Sequence, residues 1–238
     1  MKGEHDSVDS SRASYDQGLW RPGAYSAHHA LRIRKTLELL RPYRRSGKPV
    51  GIVGVSPLDQ LIADEYGVEY CYSVVPNPEF LSGAGCQRSL PTPPVIYDLT
   101  REHPQPSRTF QLVLMLEVLE HLLADDELVL TRLHSLVEPG GYVCISVPNV
   151  ARHVNRLKIL MGINPLQPKR EIVSGGMGGY GHIREYTVGE VRRMLSNEFE
   201  VLELTAVNPY GSPRARQLLD ILPRTLRSTI LAVGRAKR

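Results

Sequence analysis

The chain reads as an α/β protein: an open, mostly parallel sheet with helices on both faces. Three observations predict this. Short apolar runs of strand length alternate with helical patterns along most of the sequence. The run Phe110–Leu116 is apolar at all but one position and bounded by loop, as suits a central parallel strand buried on both faces. The length, 238 residues, suits one domain of this class better than two.

The elements follow in order. Residues 1–23 are polar, with Ser, Asp and Gly, and are expected to form a flexible arm. Residues 24–238 are expected to form a single domain. From Ala24 to Leu40 the spacing is helical, with Leu31, Leu37 and Leu40 on one stripe. Pro42, Ser46, Gly47 and Pro49 end it. Val50–Val55 reads as a buried strand, Leu58–Tyr66 as a short helix and Val68–Val75 as a second strand stopped by Pro76-Asn77-Pro78. Residues 80–93 read as loop. Val95-Ile96-Tyr97 is a third strand, followed by Asp98. After Phe110–Leu116, helical spacing runs from Asp125 to Val137. Pro139-Gly140-Gly141 predicts a sharp turn, and Tyr142–Val147 a buried strand ending at Pro148-Asn149.

Val150–Met161 is basic and helical, and 162–182 is expected to be a lid-like insertion. Its Gly-rich stretch 174–181 lacks the Gly-Lys-Ser/Thr ending of a phosphate-binding loop. It is expected to close over a substrate; a flexible insertion is the alternative. Thr187-Val188-Gly189-Glu190 has capping-box spacing for a helix to about Ser196. Phe199–Thr205 and Ser228–Val233 read as closing strands, with one more helix possible between Pro209 and Pro223.

Composition removes several classes. At 42% hydrophobic and 23% charged residues, the chain is neither wholly disordered nor collagen-like. No apolar run approaches the roughly 20 residues that cross a bilayer, and the polar start is unlike a secretory signal. Three cysteines, Cys71, Cys86 and Cys144, are too few for a disulfide framework or zinc knuckle. The expectation is reduced thiols in a cytoplasmic protein. The net charge of +4 is mild, with cations grouped at Arg32–Lys48 and at the C-terminus. Such runs are more often a solvated helix face than a nucleic-acid site. Aromatics at 6% offer no stacking platform for single strands, so nucleic acid is not an expected partner.

In open α/β sheets the ligand lies beyond the carboxyl ends of the strands. The residues to read are therefore Gly54–Pro57, Val75–Asn77, Asp98-Leu99, Glu117–His121 and Pro148-Asn149. Here the sequence resembles class I S-adenosylmethionine-dependent methyltransferases. Phe110–Leu122 resembles their fourth strand and turn, and Leu136–Tyr142 their step into the fifth. Ser146–Asn149 resembles that strand's end. Gly181–Thr187 resembles the turn before the next helix in small-molecule and polysaccharide-cluster members. The resemblance covers about residues 48–207. It implies a Rossmann-like fold, seven strands with an antiparallel last strand, and S-adenosylmethionine as cofactor.

The resemblance also assigns a site. Gly54 keeps only the first glycine of the loop that lets backbone approach the cofactor's methionine part. Ser56 is small and carries a hydroxyl for its carboxylate. The family's ribose-binding acid is replaced at Val75-Pro76-Asn77. Asn77 offers one amide oxygen where a carboxylate offers two charged acceptors, each bond worth about 1.5–3 kcal/mol. Glu79 substitutes if the turn curls back. Asp98 and Leu99 take the adenine-reading positions; the alternative for Asp98 is a turn residue. Glu117 borders the cofactor.

For chemistry, His121, His153 and His182 are candidates to take a proton from an oxygen nucleophile. His182, between Gly-rich segment and helix, is the expected catalytic base; the alternative is a loop anchor. Glu117, Glu120 and His121 resemble a metal-holding cluster of small-RNA and ubiquinone-pathway O-methyltransferases, with His153 or His182 as fourth ligand. Metal-free members carry the same residues, and no metal ligand is assigned. The leading expectation is O-methylation of a small molecule or of a glycan or glycolipid sugar. The alternatives are a degenerate scaffold and a metal-assisted RNA 2′-O-methyltransferase.

Overall fold

The computed structural model describes residues 24–56, 59–82, 90–101, 105–173, 181–210 and 213–238. The expected arm, and all of the Gly-rich stretch except Gly181, lie outside them.

Seven strands form one sheet: β1 Val50–Val53, β2 Cys71–Val75, β3 Val95–Ile96, β4 Phe110–Leu116, β5 Val137–Pro148, β6 Phe199–Val207 and β7 Thr229–Ala236. Their order is β3-β2-β1-β4-β5-β7-β6. β1 to β5 are parallel, whereas β7 runs antiparallel to both β5 and β6. The expected class, with its antiparallel last strand, is the observed one. Strand order reverses at β1, so the ends of β1, β2 and β4 border one crevice.

The helices are α1 Ala24–Leu40, α2 Asp59–Tyr66, α3 Asp126–Ser135, α4 His153–Leu160, α5 Lys169–Val173, α6 Val188–Glu198 and α7 Pro213–Leu219. They cover both faces because β4 is apolar on both. Val113 and Met115 pack with Val129, Leu130 and Leu133 of α3 and with Val191 and Leu195 of α6. Leu112 and Leu114 pack on the other side with Ile33 and Leu40 of α1 and Ile62 of α2. All four strand residues are fully buried, and each such side chain contributes about 1.5–3 kcal/mol. Cys71 and Cys144 are free, and burial pushes both thiols up to about 12.

The caps follow the sequence. Asp125 accepts from the N–H groups of Glu127 and Leu128 to start α3. Thr187 and Glu190 form the expected capping box of α6. Three expectations change. β2 begins at Cys71, because Val68–Tyr70 form a 3-10 turn after Gly67, whose φ is +93°. The helix expected from Val150 begins at His153. Pro139-Gly140-Gly141 is a bulge inside β5, since Phe110 pairs with Val137 but Leu112 with Tyr142. Glycine is needed at 141, where a Cβ would meet the Gln111 carbonyl oxygen at 2.8 Å.

Candidate active site

The first half of the rim lies at the ends of β1, β2 and β3. Gly54 has φ +90°, a conformation that favours glycine, and its N–H donates to the Val74 carbonyl at 2.9 Å. Among the described residues, a Cβ there would meet Val118 Cγ2 alone, at 3.8 Å. Ser56 N–H donates to Asp59 Oδ2 at 2.9 Å, and Asp59 N–H returns a bond to the Ser56 carbonyl at 3.0 Å. Burial pushes the Asp59 carboxyl up to about 7, against the opposing bond from Ser56. Pro57 and Leu58 lie outside the described residues.

At the end of β2, Val75 is fully buried and its carbonyl accepts from Tyr97 N–H at 2.8 Å. Its side chain is buried among the described residues. Asn77 is exposed, but its Oδ1 accepts from Phe80 N–H at 2.8 Å. That bond starts the 3-10 turn Pro78–Ser82, on which Glu79 is exposed. Asp98 Oδ1 accepts from the N–H and hydroxyl of Thr100 at 2.8 and 2.7 Å, and Oδ2 lies 3.5 Å from Arg101 Nε. The turn role considered for Asp98 is therefore present, and Oδ2 has no bond from Thr100. Leu99 is buried in the core.

The second half lies at the ends of β4 and β5. Glu117 has φ +58°, an uncommon and strained value for a residue with a Cβ. Its N–H donates to the Ser146 carbonyl at 2.9 Å, and its Oε1 accepts from the Ser146 hydroxyl at 3.0 Å. Arg32 completes the knot: Nη1 donates to Ser146 Oγ at 2.9 Å and lies 3.4 Å from Glu117 Oε1. Sequence reasoning placed Arg32 in a solvated basic run, yet it is only 6% exposed. Its signal was position: Arg32 shares a helix face with Thr36 and Leu40, both buried.

Glu120 follows on the 3-10 turn Leu119–His121 and is 0% exposed. Neither carboxylate oxygen has a hydrogen-bond partner among the described residues. Burial first, and then the charge of Glu117, hold its carboxyl well above the ordinary range. The Glu120 carbonyl accepts from Ile183 N–H at 2.8 Å and Arg184 N–H at 3.3 Å. This tether carries His182 to His121, their rings 5.0 Å apart and near perpendicular. One ligand atom each of Glu120, His121 and His182 lies within 4.8 Å of the others. Glu117 and His153 are not in this group. Glu117 is held by Ser146 and Arg32, and His153 Nδ1 lies 3.2 Å from the Leu226 carbonyl.

His182 Nδ1 lies 3.2 Å from Glu185 Oε1. Burial pushes the Glu185 carboxyl up, but the His182 bond, Arg152 and Asn155 outweigh it and leave the group below its ordinary value. Glu185 is thus a carboxylate that only accepts, so the bond places the imidazole proton on Nδ1. In the neutral ring Nε2 is then the acceptor. His182 and Glu185 line a pocket of about 410 Å³ with Leu166, Gln167 and Lys169. The backbone N–H of His182 also donates to Gln167 at 2.9 Å, so the loop-anchoring role coexists with the pocket.

This arrangement, a 3-2-1-4-5-7-6 sheet with its polar groups gathered beyond the parallel strand ends, defines a Rossmann-like methyltransferase fold. The methyltransferase-domain family matches residues 34–204, and the chain belongs to it. Among solved structures, it is similar to the N-methyltransferase NodS of Bradyrhizobium japonicum WM9 bound to S-adenosyl-L-homocysteine. That match has TM-score 0.53 and 16% identity, over 95% of this chain and 98% of that one. It is also similar to a structure of the Haloferax volcanii Trm112 methyltransferase activator in complex with a methyltransferase, with TM-score 0.59, 16% identity and 96% of both chains covered. A third is a Burkholderia thailandensis 1,6-didemethyltoxoflavin-N1-methyltransferase, with TM-score 0.53, 16% identity, and 100% and 92% covered. No curated protein matches the sequence. Among the described residues, no helix is long and apolar enough to cross a membrane.

Proposed function

We propose that this methyltransferase moves a methyl group from S-adenosylmethionine to a hydroxyl oxygen of a small molecule or of a glycan or glycolipid sugar. The observation that carries the oxygen assignment is the His182–Glu185 pair beside a pocket. Bound S-adenosylmethionine supplies an already activated methyl on a sulfonium. What remains for the protein is alignment, exclusion of water and removal of the hydroxyl proton. Glu185 holds the imidazole with Nδ1 protonated, so Nε2 takes that proton.

The residues present fit the cofactor at its methionine end, where Gly54, in a conformation that favours glycine, is crowded by no described side chain closer than Val118 at 3.8 Å. Gly54 and Ser56 would hold the methionine part, and Asp98 the adenine through Oδ2. The ribose falls to Glu79 on the exposed turn, because Val75 is buried and the Asn77 oxygen is used locally. Glu117, fixed by Ser146 and Arg32, would border the cofactor. Calorimetry with S-adenosylmethionine, followed by transfer assays on hydroxylated acceptors, tests this reading. Transfer to oxygen that survives His182→Ala at full rate contradicts it.

One observation favours a second reading. Glu120 is buried with neither oxygen hydrogen-bonded among the described residues, and with Oε1 3.9 Å from His121 Nε2 it forms with His121 and His182 an O,N,N donor set suited to a divalent transition metal. A metal held by these three would polarise the acceptor hydroxyl. Equilibrium dialysis with Mn²⁺ or Zn²⁺ on wild type and Glu120→Gln decides it. Equal uptake by both proteins rejects the metal.

A further inference from the structure

A surface helix ordinarily turns its apolar stripe inward and its polar face to water. Helix α4 does the reverse. The residue it buries is Asn155, 0% exposed. Asn155 Nδ2 donates to the Val150 carbonyl at 2.9 Å, and Oδ1 accepts from Arg152 Nε at 3.1 Å. The neighbouring anchor is also polar: Arg156 Nε donates to the Ala151 carbonyl at 2.8 Å. The apolar side chains point outward. Leu157, Ile159, Leu160 and Met161 are 57%, 59%, 84% and 58% exposed, and Ile163 and Leu166 are 50% exposed each.

This display is a fixed piece of structure. Gly162, at φ +72°, caps the helix, with Gly162 N–H donating to the Ile159 carbonyl at 2.9 Å and Ile163 N–H to the Lys158 carbonyl at 2.8 Å. These are the paired bonds of a Schellman end. Contiguous exposed apolar surface on an ordered element marks an interaction site.

Charge selects the partner. Between Glu138 and Glu171 the chain has no Asp or Glu, while Arg156, Lys158 and Lys169, exposed or half-buried, fall in that interval. A second copy docked across a two-fold axis would set cation against cation. A nucleic acid would meet aliphatic side chains where stacking needs aromatic ones. Aliphatic residues interleaved with cations match an anionic lipid surface, with apolar groups at the acyl boundary and cations at phosphate.

We propose that α4 and the turn after it, residues 153–170, dock the protein on an anionic phospholipid bilayer. The His182 pocket shares Leu166 and Lys169 with this segment, so a lipid-borne sugar would reach it directly. That last step, unlike the docking itself, rests on the methyltransferase reading.

The test is co-sedimentation of the full chain, without S-adenosylmethionine, with vesicles of phosphatidylcholine alone or with about one third phosphatidylglycerol. Partition into the anionic vesicles is expected to be at least about tenfold higher and to fall as salt rises. The double variant Leu157→Ser/Leu160→Ser is expected to lose about tenfold, with melting temperature and S-adenosylmethionine affinity unchanged. Equal partition into both vesicles, or full binding by the double variant, overturns the proposal. So does a wild-type dimer that does not bind vesicles and that the double variant converts to monomer. A protein that binds vesicles but not S-adenosylmethionine keeps the docking surface and removes the methyltransferase reading.

Discussion

The two halves of the rim are built differently. At the ends of β1 to β3, the polar groups at the expected cofactor positions are engaged in local turns: the Ser56 backbone N–H with the Asp59 carboxylate, the Asn77 side chain with Phe80, the Asp98 side chain with Thr100. At the ends of β4 and β5, the contacts are long-range. Arg32 reaches Ser146 and Glu117, Glu120 tethers Ile183, and His182 meets both Glu185 and His121. Local turns need few other parts of the fold, whereas a strained Glu117 and a buried Glu120 persist only where distant elements hold them. The difference teaches that this chain concentrates its costly, unusual arrangements at the ends of β4 and β5. At the donor end it depends on Gly54 and backbone shape.

Breaking the donor half should have the largest effect. Gly54→Arg is expected to abolish measurable S-adenosylmethionine binding, a loss of about 100-fold or more. Because φ is +90°, any side chain adds strain, so Gly54→Ala is the control. The alanine variant should share about 1–2 kcal/mol of destabilisation by thermal melting while binding far better than the arginine variant.

Removing the proposed base alone should leave cofactor binding intact. His182→Ala is expected to lower turnover about 100-fold, the lower range for a general base, with the S-adenosylmethionine dissociation constant unchanged. A fall in affinity equal to the fall in rate would make His182 only a loop anchor.

Asp59 sharpens the comparison through pH. Its carboxyl stands at about 7 in the folded chain against 3.8 in the unfolded one. Between those values the unfolded chain releases a proton that the folded chain keeps. Stability from this group is therefore present below about pH 4 and lost as pH rises through about 7. Asp59→Asn keeps an acceptor for Ser56 and removes the titration. Relative to wild type it should gain about 2–4 kcal/mol between pH 4 and pH 8, read by denaturant melts. A constant difference across that range would mean that Asp59 is hydrated.

Much of the frame was legible in the sequence because it rests on local patterns. The doubly buried β4, the Thr187 capping box and the antiparallel β7 follow from apolar runs, cap residues and family resemblance. The bulge at Gly140-Gly141 was not, since Pro-Gly-Gly writes the same signal whether the chain turns or loops out inside a strand. The site was half legible. His182, Glu117 and Gly54 sit at strand or turn ends that sequence can mark. The burial of Val75, Arg32's reach across the sheet and the absence of Glu117 from the Glu120 group depend on tertiary contacts with no local signature.

Two smaller effects probe the ribose and adenine positions. Glu79→Ala is expected to weaken S-adenosylmethionine binding about tenfold by titration calorimetry, with no change in melting temperature, because the side chain is exposed. Asp98→Ala is expected to weaken it about threefold to tenfold. It should also lower the melting temperature by a few degrees through loss of the Thr100 turn. A lowered melting temperature with unchanged affinity would leave Asp98 the turn role alone.

We propose that a donor site survives at the ends of β1 to β3 without an acid closing β2. Titration calorimetry of S-adenosylmethionine and S-adenosylhomocysteine into the folded wild-type chain tests it most directly. Saturable one-to-one binding of both is expected, lost in Gly54→Arg and retained in His182→Ala. A folded wild-type protein that gives no binding with either ligand would contradict it and leave a methyltransferase fold serving as a scaffold.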